Sequence, residues 1–141
     1  MATTLIWPAE VFRQNVDIHE LADLYSILYD SIMKNPDGTG HGREGYYFGA
    51  NGEHSLLDVC RSIGEALVDL GIATSPKPTS FTKEEIDKYF GGSNFSENNS
   101  RCRANRSKSI GWQPKKTTED LLKSIRPEVQ AMANMTSRPS N

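Results

Sequence analysis

The residues that could do chemistry in this 141-residue chain are three histidines, two cysteines and a run of arginines and lysines. His19, His41 and His54 stand far apart, and none has the i, i+4 partner or the carboxylate spacing of a metal site. Cys60 and Cys102 are too few for a disulfide framework and indicate reduced thiols in an intracellular protein. Neither a Gly-x-Ser-x-Gly motif nor a Tyr-x-x-x-Lys pair occurs. We therefore predict no metal site and no catalytic residue.

A basic run is the strongest charged feature, although the formal net charge is only -2. It consists of Arg101, Arg103, Arg106, Lys108, Lys115 and Lys116. Three interpretations stay open: a solvated helix face, a phosphate or carboxylate contact through bidentate guanidinium groups, or nucleic-acid binding. Only Trp112 is near enough to supply an aromatic stacking partner, so we expect no nucleic-acid partner. We take Arg103 as a candidate substrate contact.

The glycines of residues 40–45 match G-x-G-x-x-G, the fingerprint of dinucleotide-binding proteins. That fingerprint binds pyrophosphate only where it follows a strand and opens a helix. Here the glycines precede a predicted strand and no helix begins within them. We interpret this stretch as a surface loop, and we expect the chain alone to bind no cofactor.

The elements that must position these residues are mostly helical. Periodicity and capping residues predict helices at residues 17–33, 55–70, 82–90, 100–110 and 117–125. Trp112, between a glycine corner and a proline, is predicted to anchor the last helix in the core. Residues 1–12 are predicted to be irregular and residues 132–141 to be a disordered tail.

One strand is predicted, GYYFG at residues 45–49, where three aromatic residues stand between glycines. This composition is typical of a strand buried on both faces. An isolated strand leaves its backbone hydrogen bonds unsatisfied, and even a hairpin is marginal in water. The sequence therefore predicts that this strand needs a sheet that the sequence does not visibly supply.

The chain begins with neither a basic start nor the apolar core of a secretion signal. Its apolar stretches fall short of the roughly 20 residues that a membrane span needs. We expect a cytoplasmic protein with no membrane partner.

Three segments, in this order, resemble the C-terminal part of the extended short-chain dehydrogenases, the NAD-dependent epimerase/dehydratase family. They are VDIHELADLYSILYDSI, GREGYYFGANGEHSLLDVCRSIGEAL and SRCRANRSKSIGWQPKKTTEDLL, and the resemblance covers about residues 13–129. Their sequences are similar to those of fungal NAD(P)-binding epimerase-like oxidoreductases.

The resemblance implies an α/β protein of Rossmann type, of which residues 13–131 are the mostly helical substrate-domain portion, with few strands and no complete parallel sheet. In complete members NAD or NADP binds an N-terminal domain whose glycine motif and Tyr-x-x-x-Lys pair are absent here. Arg13 matches an arginine that contacts the substrate diphosphate in sugar-nucleotide members. Gln14 and Asp17 depart from the family pattern, so a smaller carbonyl or alcohol substrate stays open beside a nucleotide sugar.

The resemblance favours a truncated, substrate-domain fragment of an NAD(P)-dependent epimerase/dehydratase-like oxidoreductase that is not catalytic alone. The alternative is a non-catalytic protein-binding module, which would pair with a partner chain through the strand at residues 45–49.

Overall fold

The computed structural model describes residues 11–93 and 98–136, a mostly helical part of the chain with one two-stranded antiparallel sheet. This agrees with the predicted few-strand α/β class. The elements are β1 (Phe12–Gln14), α1 (Ile18–Lys34), a 3₁₀ turn (Gly42–Glu44), β2 (Glu53–Ser55), α2 (Leu56–Asp69), α3 (Lys83–Phe90), α4 (Asn105–Ser109) and α5 (Thr118–Thr136). None of the described helices is long and apolar enough to cross a membrane.

The chain divides into two compact units, each built from segments that are distant in sequence. Unit 1 consists of Met1–Arg13, His54–Ser100 and Leu122–Asn141, and unit 2 of Gln14–Glu53 and Arg101–Leu121. Each unit therefore depends on long-range pairing between segments and not on local structure alone.

Trp112 is the centre of the core of unit 2. It is 1% exposed and packs with Leu24, Ala50 and Ala104. Its indole Nε1 donates a 2.7 Å hydrogen bond to the backbone oxygen of Glu20, which satisfies the one polar atom of the buried ring. The prediction that Trp112 is a core anchor is confirmed.

Two carboxylates at the start of α1 hold the chain that follows this tryptophan. Asp17 caps the helix by accepting a 2.9 Å hydrogen bond from the His19 amide, as predicted for its position. It also accepts a 2.6 Å hydrogen bond from Lys116 Nζ, which lowers the pKa of Asp17 below its ordinary value. The carboxylate of Glu20 accepts the amides of Lys115 and Lys116, at 2.7 and 3.1 Å.

Residues 45–49 do not form a strand, so the prediction of a buried strand is wrong. Phe48 is 47% exposed, and its backbone oxygen accepts a 2.6 Å hydrogen bond from Ser107 Oγ. Gly49 lies so close to α1 that a Cβ there would stand 2.5 Å from Leu21 Cδ1. Contacts within unit 2 thus hold this segment in place of the strand neighbours that we expected.

The sheet is formed by β1 and β2, two strands that the sequence analysis did not predict. Phe12, assigned to an irregular segment, opens β1. Beyond the strands, the Asn15 amide donates to the Gly52 oxygen at 3.2 Å, and the Asn51 amide donates to the Asn15 oxygen at 2.8 Å. Gly52 has φ +153°, and a Cβ there would stand 2.4 Å from Thr118 Oγ1, so the turn requires glycine.

In unit 1, α2 begins and ends where its capping residues predict. Ser55 Oγ accepts a 3.2 Å hydrogen bond from the Leu57 amide, and Gly71 follows the helix with φ +69°. Cys60 is buried on this helix, and burial raises the pKa of its thiol, as expected for a packing residue.

The third helix, α3, carries a complete capping box at its start, where the helix at residues 82–90 was predicted to begin. Thr82 Oγ1 accepts from the Glu85 amide at 3.2 Å, and the Glu85 carboxylate accepts from the Thr82 amide at 2.8 Å. Gly91 ends the helix in the left-handed region, with φ +59°.

The fourth helix, α4, covers only five residues of the predicted helix at 100–110. Ser100, at the start of that predicted helix, is extended instead. Its amide donates to the Phe12 oxygen at 3.1 Å, and the residue forms a β-bridge with Arg13. The basic run therefore lies mostly on irregular chain.

The last helix, α5, continues past Pro127 to Thr136. The predicted disordered tail at residues 132–141 is therefore wrong for residues 132–136, and its remaining residues lie outside the described part. Ile125 is buried and Val129 is half buried on the same helix face, so the apolar stripe continues beyond the proline.

Candidate functional site

An open hollow in unit 2 brings together Gln14, the turn at residues 50–53 and the segment at residues 102–108. We call it the basic hollow; its polar side chains are those of Gln14, Asn51, Glu53, Arg103, Asn105 and Lys108. Its volume of about 240 Å³ is below the roughly 300–1,000 Å³ typical of sites for drug-sized ligands. The size fits a small group such as a phosphate or a carboxylate.

The acidic side chain of the basic hollow is fully engaged. Arg101 binds Glu53 in the bidentate fork, with Nε to Oε1 at 2.9 Å and Nη2 to Oε2 at 2.8 Å. Gln14 Nε2 donates a further 2.9 Å hydrogen bond to Glu53 Oε1. The hydrogen bond from Arg101 is the largest influence that lowers the pKa of Glu53. Glu53 is therefore an ionised acceptor that neutralises Arg101.

Two cations of the basic hollow remain uncompensated. Arg103 and Lys108 are exposed, and within the residues that the structure describes neither forms an ion pair. The charge of Arg103 makes a small contribution to the lowered pKa of Glu53, after the larger influence of Arg101. With Glu53 and Arg101 cancelling each other, the hollow carries net positive charge.

The other members of the basic run behave differently. Arg106 pairs with Glu44 and Lys116 pairs with Asp17, so these charges are locally neutralised. Arg101 pairs with Glu53, and Lys115 lines a second hollow, so the run is divided among ion pairs and two hollows.

Backbone and side-chain hydrogen bonds fix the turn that forms one wall of the hollow. Asn51 Nδ2 donates to the Lys116 oxygen at 2.8 Å, and Thr118 Oγ1 contacts Asn15 Oδ1 at 2.9 Å and the Glu53 oxygen at 3.0 Å. A bound group would thus meet polar atoms that are already in place, which lowers the entropic cost of binding.

The basic hollow offers no nucleophile or acid–base pair among its described lining. Cys102 is half buried there, and burial, together with the charge of Glu53, raises the pKa of its thiol. A raised pKa keeps the sulfur protonated and weakly reactive. The arrangement can bind and orient an anion.

The two predicted substrate contacts lie in different places. Arg103 lines the basic hollow, whereas Arg13 is half buried in β1 and is not among the lining residues. Gln14, Asn51 and Glu53 line the hollow although no sequence motif marks them as site residues. The Asn-Gly turn at residue 51 was the available signal, since that dipeptide marks a tight turn.

A second open hollow in unit 2, of about 580 Å³, is lined by Glu20, Asp23, Trp112 and Lys115, among others. The Glu20 carboxylate is already occupied by two backbone amides, and Trp112 is buried. Asp23, Gln113 and Lys115 also line this hollow, so it presents charges of both signs, whereas the one carboxylate of the basic hollow is engaged by Arg101.

No three His, Cys, Asp or Glu side chains of the described ranges are grouped so that they could hold a metal ion. The chain matches no family model, no curated protein and no solved structure. Its function must be inferred from its own residues and their geometry.

Proposed function

We propose that this chain is the substrate-side portion of an NAD(P)-dependent, Rossmann-type epimerase/dehydratase-like oxidoreductase, and that it binds an anionic group of the substrate without catalysis of its own. The observation that carries the proposal is the basic hollow, in which Arg103 and Lys108 form no ion pair with any described residue while the Glu53 carboxylate is engaged. Such a site attracts a phosphate or carboxylate and leaves proton transfer to other groups.

The positions of the segments that resemble the family support this proposal. The first segment forms α1 and the third contains Trp112, and the two meet where Trp112 Nε1 donates to the Glu20 oxygen. The resemblance therefore involves residues that pack into one core and not scattered surface positions.

The proposal assigns different tasks to the two parts of a complete protein. A bound nicotinamide would take or return hydride in the other domain, where the family tyrosine moves the proton. The residues of this chain would hold the anionic end of the substrate through Arg103 and Lys108, with Asn51 and Asn105 as hydrogen-bonding neighbours.

Titration of the isotopically labelled chain with inorganic phosphate, pyrophosphate and a nucleoside diphosphate, followed by NMR, tests the binding. We expect amide shifts at residues 51–53 and 102–108. Arg103→Gln and Lys108→Gln should each weaken binding by about 10- to 150-fold, since a hydrogen bond to a charged group contributes about 1.5–3 kcal/mol. The exposed Lys77 provides the matched control, and K77Q should bind as the wild type does.

A failure of all three anions to shift these amides, or equal binding by R103Q, would contradict the site. Turnover of NADH or NADPH by the purified chain would contradict the second part of the proposal, that the chain is not catalytic alone.

The alternative hypothesis, a module that pairs with a partner through a strand at residues 45–49, loses its basis because that segment is not a strand. Edge addition requires an extended backbone with unpaired amides and carbonyls.

A further inference from the structure

The outer face of α1 is apolar and exposed. Its large side chains, 47–69% exposed, are Ile18, Tyr25, Tyr29, Ile32 and Met33. Soluble proteins expose single apolar residues routinely, but they rarely align several large ones on one helix face. We therefore expect another protein surface to cover this face.

The spacing along this face is that of a helix–helix seam. Ile18, Ala22, Tyr25, Tyr29 and Ile32, which we call the α1 seam, follow one another at intervals of four, three, four and three residues. A 4-3 repeat keeps side chains on one stripe facing a second helix. Leu24, which turns toward the core of unit 2, lies outside the seam.

We propose that the α1 seam packs antiparallel against the same seam of a second copy of this chain. A two-fold axis makes each contact occur twice, so a self-complementary stripe is required. In one antiparallel register each Tyr25 stands opposite the partner's Tyr29, and each Ala22 opposite the partner's Ile32. Aromatic residues then meet at the centre and a small residue meets a branched one on either side.

Charge distribution favours a second copy over a partner of opposite charge. The positions that flank the seam carry Leu21, Ser26, Leu28 and Met33, none of which is charged, with His19 at one end. Asp30 and Lys34 pair with each other at 3.0 Å, away from the stripe. Two copies therefore meet without like-charge repulsion, whereas a strongly charged partner would find no counter-charge.

The area is sufficient for a weak dimer. Two tyrosines that are about two-thirds exposed offer roughly 250 Å² of side-chain surface. The aliphatic members bring the face to roughly 600 Å² per chain, the lower end of specific interfaces, so we expect a dissociation constant on the order of 10–100 µM. This dimer does not depend on the function proposed above.

Sedimentation velocity over about 5–500 µM of the full chain, a range that brackets the expected dissociation constant, tests the dimer. The weight-average mass should rise from 15.7 kDa toward twice that value. The double variant Tyr25→Glu, Tyr29→Glu should stay monomeric throughout, because it places carboxylates in the seam. Tyr89→Glu, on α3, replaces a tyrosine that is 58% exposed and should dimerise as the wild type does.

Concentration-dependent NMR of the wild type locates the contact without any variant. The dimer predicts changes in the amide signals of residues 18–33. A wild-type chain that stays monomeric at all concentrations would overturn the proposal. Association that persists in the double variant, that is also lost in Y89E, or that maps outside α1 would overturn it as well.

Discussion

At the scale of single residues, His54 is a half-buried histidine. Its Nδ1 atom is buried without a hydrogen-bond partner among the described residues. Burial lowers the pKa of His54, and the nearby charge of Arg13 lowers it further. Because both influences disfavour the imidazolium, the folded protein holds this histidine neutral.

This lowered pKa predicts a loss of stability in mild acid. Below the unfolded pKa of about 6.5, the unfolded chain binds a proton that the folded chain resists, so the free energy of unfolding falls until the folded pKa is reached. His54→Gln should flatten this part of the profile, measured by urea unfolding between about pH 7.5 and 5.5. The exposed His41 is the control, and an H41Q profile as flat as that of H54Q would contradict the assignment.

Ser107 provides a second prediction at this scale. It is fully buried, and its Oγ donates a 2.6 Å hydrogen bond to the Phe48 oxygen. Ser107→Ala should lower the free energy of unfolding by about 1–3 kcal/mol, because it leaves a carbonyl without its donor. Ser109 on the same helix is exposed, so S109A should cost less than about 0.5 kcal/mol. Equal losses in the two variants, measured by urea unfolding, would show that this hydrogen bond contributes little.

At the scale of elements, local sequence signals predicted where helices begin, whereas the long-range pairing of strands was not predicted. Asp17, Ser55 and Thr82 cap helices where their sequence positions indicate, because a cap needs only its own neighbours. The pairing of β1 with β2 joins segments about 40 residues apart that are too short to leave a periodic pattern. The strand predicted at residues 45–49 is wrong because aromatic residues favour strands in general, whereas tertiary contacts decide the conformation of this segment.

The interior proline of α5 predicts a stabilising substitution. Pro127 cannot donate the backbone hydrogen bond of its position and disfavours helical geometry at the preceding residue. Pro127→Ala should raise the free energy of unfolding by about 1–3 kcal/mol and increase helical circular dichroism. Pro36, in the turn after α1, is the control, and P36A should be neutral or slightly destabilising. A destabilised P127A would show that the proline is required by its surroundings.

At the scale of the whole molecule, exposed ion pairs predict sensitivity to stronger acid. Hydrogen bonds from Lys116 and Arg101 lower the pKa of Asp17 and Glu53, respectively. Their stabilisation is present above the unfolded pKa of about 4 and is lost as the pH falls through the folded values. Melting temperatures should therefore fall below about pH 4, and less steeply in Glu53→Gln. An unchanged slope in E53Q would exclude this pair as a cause.

Only part of the basic hollow could be predicted from the sequence. Its arginine and lysine were recognisable as a charged run, and Arg103 was selected. Their separation into paired and uncompensated cations could not be predicted, because it depends on Glu44 and Glu53, which lie about 50–60 residues earlier. The composition shows that positive charges are present, whereas the fold determines which of these cations remain available to a ligand.

The burial of Trp112 has a spectroscopic consequence. Its indole is shielded from water and fixed by one hydrogen bond, and the only other tryptophan in the chain is Trp7. With Trp7 replaced by phenylalanine, the emission of Trp112 becomes an intrinsic reporter of unit 2. It should be blue-shifted in the native protein and move to the red on denaturation, so the integrity of the core around α1 can be followed without an added label.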